Sequence, residues 1–259
     1  GAPLGTDTAD GVRRPAAYNG IIGVKPTYGR ISRYGIIPYA SSLDHVGYFT
    51  TNVEDACTML EVLAGRDDRD MTSSLRPVEA YRDHLNSDLH GKVIGVLENV
   101  QEVIRDQAIR DNVEALCEKL AARGAQIRRV RMPQELMETI LPVYLTIANA
   151  EATANHSNLD GIRFGMREDG ESVEEVMKNS RTKGFSAYVR KRFIIGSYSL
   201  FVENQDKLFR KAQKIRRLLV DHYRALFAEC DCILASAAPT VAPLEDEASD
   251  EALGKEHLV

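Results

Sequence analysis

Hydrophobic and polar positions follow successive rhythms along the chain. Residues 1–50 carry only short apolar runs, such as "GIIGV" and "GIIPYA", set among Gly, Pro and Tyr, and predict short strands joined by tight loops. "TNVEDACTMLEVLAG" then starts a helical period. Thr51 or Asn52 can cap it, Glu54 and Asp55 suit its first turn, and Gly65 stops it. "RDDRDMTSSLRP" is a polar loop. "KVIGVLENV" predicts a buried strand. Ile109, Val113, Leu116 and Leu120 share one helical face that Gly124 ends, and "AQIRRVRM" alternates as a half-buried strand. Strand, helix, strand predicts a βαβ unit, hence a parallel pair in a covered sheet.

From about Pro133 to Phe227 the period is mostly helical. Leu208, Ala212, Ile215, Leu219, Tyr223 and Leu226 make a long apolar stripe, read as core packing. The Gly-rich, charged "NLDGIRFGMREDGES" separates helices, and "CDCILASAAPT" predicts one more buried strand. The final stretch, "PLEDEASDEALGKEHLV", is acidic. The pattern predicts an α/β chain with a mixed sheet drawn from residues 1–50, 92–131 and 231–236.

Composition narrows this picture. The 259 residues are 44% hydrophobic and 27% charged, which fits a soluble globular protein with a sizeable core. No run reaches the ~18 apolar residues of a membrane helix, and no secretory leader is visible. Residue 1 is Gly rather than Met, so the natural start is expected upstream. A net charge of −5 argues against a nucleic-acid surface. The local basic runs, at Arg190, Lys191 and Arg192 and at Lys214, Arg216 and Arg217, read as solvated helix faces. Cys57, Cys117, Cys230 and Cys232 are too few and too irregular for a disulfide framework or a zinc site. Buried thiols in a reducing cytoplasm are expected, with Cys230 and Cys232 on one face of a strand.

The chemistry concentrates at the start. "GTDTADGVRRPAAYNGIIGVKPTYGRISRYG" resembles the amidase signature family, whose members carry G-[ST]-D-T-G-G-S-x-R-x-P-A and then G-x-x-G-x-K-P-T-x-G-R-x-S-x-x-G. Gly5, Asp7, Thr8, Arg13, Pro15 and Ala16 match the first part, and Gly20, Gly23, Lys25, Pro26, Thr27, Gly29, Arg30, Ser32 and Gly35 the second. "YASSLDHVGYFTTNVEDACTMLEVLAGRDDRDMTS", "IANAEATANHSNLDGIRFG", "SRTKGFSAYVRKRFIIGSY", "KAQKIRRLL" and "CDCILASAAPT" are similar to the family's glutamyl-tRNA(Gln) amidotransferase A-subunit branch. The resemblance implies a single amidase-signature-like domain over residues 1–259, incomplete at both ends. The family's catalytic Lys and bridging Ser would lie upstream of Gly1, and a C-terminal part of the sheet beyond Val259.

The resemblance also implies a reaction: amide hydrolysis by a Ser–cis-Ser–Lys triad. A serine hydroxyl needs a base within hydrogen-bond reach, and backbone N–H groups must meet the oxyanion. By this matching the backbone N–H groups of Thr8, Ala9 and Asp10 are the oxyanion donors. The nucleophile position falls on Gly11, where the serine is lost. Asp10 places a carboxylate where the family has glycine. Asp7 and Arg13 read as an ion pair that fixes the turn. In the amidotransferase branch a Tyr and an Arg contact glutamine; the matching positions are Tyr144 and Arg192. An arginine can fork onto an α-carboxylate. Where that branch is Tyr-rich, this chain has "FVENQDKLF".

Ser32, Ser41 and Ser42 read as structural rather than as substitute nucleophiles, and His45 as a satisfied polar residue. No metal-ligand spacing and no phosphate-cradling loop occurs, so no cofactor is implied. The partners implied are B-type and C-type amidotransferase subunits and a small amide or glutamine, with no direct nucleic acid and no membrane. Three readings stay open: an amidotransferase A-subunit-like protein, inactive as given; a general small-amide amidase; and a catalytically dead relative acting as a scaffold.

Overall fold

The computed structural model describes residues 2–244, so the acidic run from residue 245 lies outside the described residues. The chain folds as two compact units. One comprises the chain up to Tyr34, His45–Leu141 and the chain from Arg217; the other comprises Gly35–Asp44 and Pro142–Arg216.

The first unit opens with β1 (Leu4–Asp7), α1 (Arg13–Asn19), β2 (Ile22–Val24), β3 (His45–Thr50) and α2 (Val53–Leu63). β3 is central and antiparallel to both neighbours, with Leu4 opposite Tyr48, Asp7 opposite His45 and Ile22 opposite Thr50. Asn52, not Thr51, caps α2 by accepting from the Asp55 N–H at 2.7 Å. Ala56, Met59, Leu60 and Leu63 of α2 pack over Ile31, Val46 and Tyr48. The buried Tyr48 hydroxyl donates to the Ala56 carbonyl at 2.6 Å, and burial pushes the phenol up to about 12.

The same unit continues with β4 (Val93–Leu97), α3 (Glu98–Val103), α4 (Gln107–Ala122), β5 (Gln126–Val130) and α5 (Gln134–Met137). The second unit holds α6 (Ile140–Asn155) from Pro142 on, α7 (Val173–Gly184), α8 (Ala187–Leu200), α9 (Val202–Gln205) and the start of α10 (Phe209–Glu229). β6 (Cys232–Leu234) returns to the first unit.

β4 is flanked by β5 and β6, both parallel, so the expected βαβ unit is present: Ile94 lies opposite both Ile127 and Cys232. A parallel sheet must be covered on both faces. Val113 and Cys117 of α4 cover Val96 on one, and Leu219, Tyr223 and Leu226 of α10 pack with Leu97 and Val130 on the other. The α/β class holds, and among the described residues the strands divide between an antiparallel and a parallel sheet of three strands each.

The apolar stripe of α10 feeds two cores. Leu219, Tyr223 and Leu226 serve the parallel sheet, while Ala212 and Ile215 join Val143, Ile147 and Leu43 in the second unit. There α8 meets α6 through its backbone: a Cβ on Gly196 would collide with the Asn149 carbonyl and the Thr153 hydroxyl.

Two local expectations change. "GIIPYA" forms no strand. Pro38 lacks an N–H, and the N–H groups of Leu43 and Asp44 turn back to the Ala40 carbonyl at 2.8 Å each, so a turn replaces a ladder. Cys230 and Cys232 do not share an environment. Cys230 lies between α10 and β6 and is buried, whereas Cys232, in β6, is exposed. All four thiols are unpaired. Among the described residues no helix is long and apolar enough to cross a membrane.

Candidate functional site

The signature segment lies between β1 and α1. Asp7 ends β1 and is 1% exposed. Its Oδ2 accepts the Val12 N–H at 3.1 Å and Arg13 Nε at 3.1 Å, and its Oδ1 accepts Arg13 Nη2 at 3.2 Å. The Arg13 guanidinium also donates to the Ala9 carbonyl. One buried carboxylate therefore closes the loop, as the reading of Asp7 and Arg13 as a structural pair expects. Thr8, Ala9 and Asp10 form the bend, half-buried, and Gly11 is exposed. Asp10 is not an isolated negative charge: Arg14 Nε lies 2.9 Å from its carboxylate.

Lys25 follows β2 near this latch. Burial lowers its pKa, the Arg13 charge lowers it further, and Asp7 works the other way. Sequence reading matched Lys25 to the family pattern without giving it a role. Its signal was a lysine held among glycines and prolines, where no solvated helix face can take it.

Arg192 and Tyr144 both lie in the second unit, Arg192 on α8 and the half-buried Tyr144 on α6. Arg192 donates to the Tyr39 hydroxyl at 2.6 Å and to the Tyr188 hydroxyl at 2.5 Å, and its guanidinium lies 4.6 Å from the Tyr188 ring centre. Burial opposes the charge, but the two phenol bonds outweigh it and hold the guanidinium above the usual arginine range. Sequence reasoning missed both tyrosines. Tyr188 was legible as the residue four before Arg192, one turn away on the same face. Tyr39 was not, because 153 positions separate it from Arg192.

Tyr39 belongs to the loop Gly35–Asp44, which a polar network anchors within its unit. Its N–H donates to Asp44 Oδ2 at 2.8 Å and its carbonyl accepts from Asn155 at 3.0 Å. Glu151 accepts the Ser42 N–H at 2.9 Å and the Ser42 hydroxyl at 2.6 Å, while Arg216 donates to the same hydroxyl at 2.8 Å and to the Ser42 carbonyl at 2.9 Å. Arg216 is therefore no solvated residue, unlike the exposed Lys214 and Arg217 beside it. Likewise Arg192 is half-buried, unlike the exposed Arg190 and Lys191 before it on α8. His156 bonds the Pro38 carbonyl through Nε2 at 3.0 Å and is ringed by Tyr39, Phe185 and Phe193.

The candidate substitute nucleophiles are occupied elsewhere. Ser32 donates to Asp67 at 2.8 Å, Ser41 pairs with Asn155, and Ser42 serves Glu151. His45 stacks edge-on against Tyr28 in β3. Among the described residues no group of three or more His, Cys, Asp or Glu could hold a metal ion.

The sequence pattern of the Amidase family matches residues 2–258. The chain is 40% identical over 251 residues to the A subunit of glutamyl-tRNA(Gln) amidotransferase from Koribacter versatilis, covering 96% of this chain and 52% of that protein. It is 41% identical over 242 residues to the corresponding protein of Halorhodospira halophila, covering 93% of this chain and 50% of that one. The crystal structure of the Thermotoga maritima counterpart superposes with a TM-score of 0.75 at 30% identity, covering 99% of this chain and 50% of that chain. The chain thus spans about half the length of the relatives it matches.

Proposed function

The chain belongs to the amidase family, and we propose that it is an amidotransferase A-subunit-like member whose signature loop does not attack amides. The observation that carries this reading is local. Residue 11, which the family resemblance matches to the nucleophile, is Gly, while the loop's supports, Asp7, Val12 and Arg13, remain engaged with one another. Without a hydroxyl there is no nucleophile, and oxyanion donors and binding alone leave a small remnant of catalysis. Thr8, Ala9 and Asp10 keep the backbone of the bend without a side chain to use it.

The ligand of this reading is glutamine or a similar small amide bearing an α-carboxylate. Arg192 receives the carboxylate and Tyr144 lines the site. Two of the five N–H groups of Arg192 are committed to Tyr39 and Tyr188, which leaves donors for an anion and fixes the plane of the guanidinium. In this reading ammonia release for transamidation needs the serine that residue 11 does not supply. Here the role is cytoplasmic binding, in company with B-type and C-type amidotransferase subunits.

Calorimetry with glutamine and an ammonia-release assay on the purified chain test the reading together. Binding without turnover is expected, and Arg192→Ala should weaken it about 10- to 100-fold, the worth of a charge-assisted hydrogen bond. Robust ammonia release would overturn the non-hydrolytic assignment. Unchanged affinity in the variant would remove Arg192 from the site.

A further inference from the structure

We infer that the signature loop has settled into a closed form that requires glycine at residue 11, so that restoring a serine there does not restore a nucleophile. The inference rests on the reading that Gly11 occupies the nucleophile position. It adds that the position itself has been rebuilt.

Glycine is usually demanded by a left-handed backbone. Gly11 is not among the glycines with positive φ, so dihedral preference does not explain it. Space does. An L-configured Cβ at residue 11 would lie 2.5 Å from the Thr6 carbonyl oxygen, with the Thr6 carbonyl carbon at 3.6 Å and the Asp7 Cα at 3.7 Å. Real Cβ atoms essentially never come within 3.0 Å of a neighbouring heavy atom. The obstructing atom is backbone, and Thr6 lies within β1, in register opposite Val46 of β3. It cannot swing aside as the end of a flexible side chain could.

The other side of Gly11 is held as well. Val12 is fully buried, and its N–H is bonded to the buried Asp7 carboxylate. Arg13 forks onto the same carboxylate, and Arg14 pairs with Asp10 one turn back. The loop thus has no slack on either flank. The Cβ direction points into the end of β1 rather than outward, so a serine hydroxyl would be aimed at protein backbone. Asp10 and Gly11 act as a pair: the acid anchors the first turn of α1 through Arg14, and the glycine lets β1 and α1 close together.

The test uses the full chain with Gly11→Ala and Gly11→Ser, read by thermal unfolding and by amide exchange at Val12. Both variants should lower Tm by about 4 °C, the scale of overpacking in a chain of this size. Val12 exchange should accelerate at least about tenfold as the Asp7 latch opens. Ala9→Gly loosens the same bend without adding a side chain and should fold with near-native exchange at Val12. If Gly11→Ala does not fold while Ala9→Gly does, the steric assignment stands. Gly11→Ala with native Tm and native Val12 exchange would overturn it, as would an equal loss in Ala9→Gly. Amide hydrolysis by the unmodified chain would instead overturn the reading of residue 11 and leave this steric result in place.

Discussion

The signature loop and the loop Gly35–Asp44 are opposite cases. The first is dense in motif and sparse in usable side chains. Its sequence resembles a catalytic pattern, yet residue 11 is Gly where that pattern has serine, and the side chains around it hold the backbone. The second begins where the signature pattern ends, at Gly35, and folding surrounds it with acids, bases and rings: Glu151 and Arg216 on Ser42, Asn155 and Arg192 on Tyr39, His156 on Pro38. The difference teaches that a motif records a backbone path, which can outlast its chemistry. A side-chain network assembled from distant positions leaves almost no trace in local sequence.

The comparison breaks first at Asp7. If the signature loop persists as a backbone device, its latch should matter more than any single member of the other network. Asp7→Ala strips the buried Val12 N–H of its acceptor, a loss of about 2–3 kcal/mol in urea unfolding. Arg13, 46% exposed, adds little to that figure. A loss below about 1 kcal/mol would mean that the loop is held by something other than this carboxylate.

Next comes Glu151. Glu151→Ala removes the acceptor of both the N–H and the hydroxyl of Ser42. Because these groups are only half-buried, water repairs part of the damage, and a loss of about 1–2 kcal/mol is expected. The accompanying sign is faster amide exchange confined to residues 35–44. A loss equal to that of Asp7→Ala would erase the contrast between the loops, since distributed bonds should share the load.

How much of this was legible follows the same divide. The βαβ unit, the capped helix α2 and the stripe of α10 were readable because each depends on neighbours a few residues apart. The family match put Asp7, Arg13 and Gly11 in one stretch, and the Asp7–Arg13 pair closes it. It could not show that Asp10 meets Arg14, or that the Thr6 carbonyl lies where a side chain would go. Arg216 was misread as solvated because a basic run looks alike whether or not one member turns inward. Tyr39 lay in "GIIPYA", a run whose apolar letters suggested a strand. Pro38 and the turn at Ala40 overrode that suggestion, because backbone N–H groups without a ladder partner turn back on their own chain.

A smaller effect distinguishes the loops by pH. Burial lowers the pKa of His156; the Pro38 carbonyl and Asp44 oppose that shift, and Arg181 adds to it. A histidine whose folded pKa lies below its unfolded value stabilises the fold as the neutral form. That contribution is present above the unfolded value near 6.5 and fades as pH falls through it. Unit two should therefore loosen between about pH 7 and pH 5, seen as faster exchange in residues 35–44, with the signature loop unaffected. His156→Phe, which keeps a ring in the aromatic cluster, should flatten that dependence. A wild-type profile already flat across this range would show that His156 is not the sensor.

The smallest effect is the most diagnostic of the signature loop, because it reads charge rather than stability. Lys25 is pulled below the usual lysine range by burial first and by Arg13 second, while Asp7 holds it up. The two neighbours thus carry opposite signs at one amine. Titration followed by the NMR signal of the lysine side chain should place Lys25 lowest, or among the lowest, of the lysines. Arg13→Ala removes a repelling cation and should raise the midpoint. Asp7→Asn removes an attracting anion and should lower it further, provided the amide still accepts the Val12 N–H and keeps the loop closed. Movement of both variants in the same direction would mean that the loop rearranges when either is changed, and that Lys25 reports exposure rather than the charges of the latch. Movement in opposite directions ties Lys25, Arg13 and Asp7 into one charged cluster. Such a cluster is chemistry that the loop holds in side chains other than residue 11.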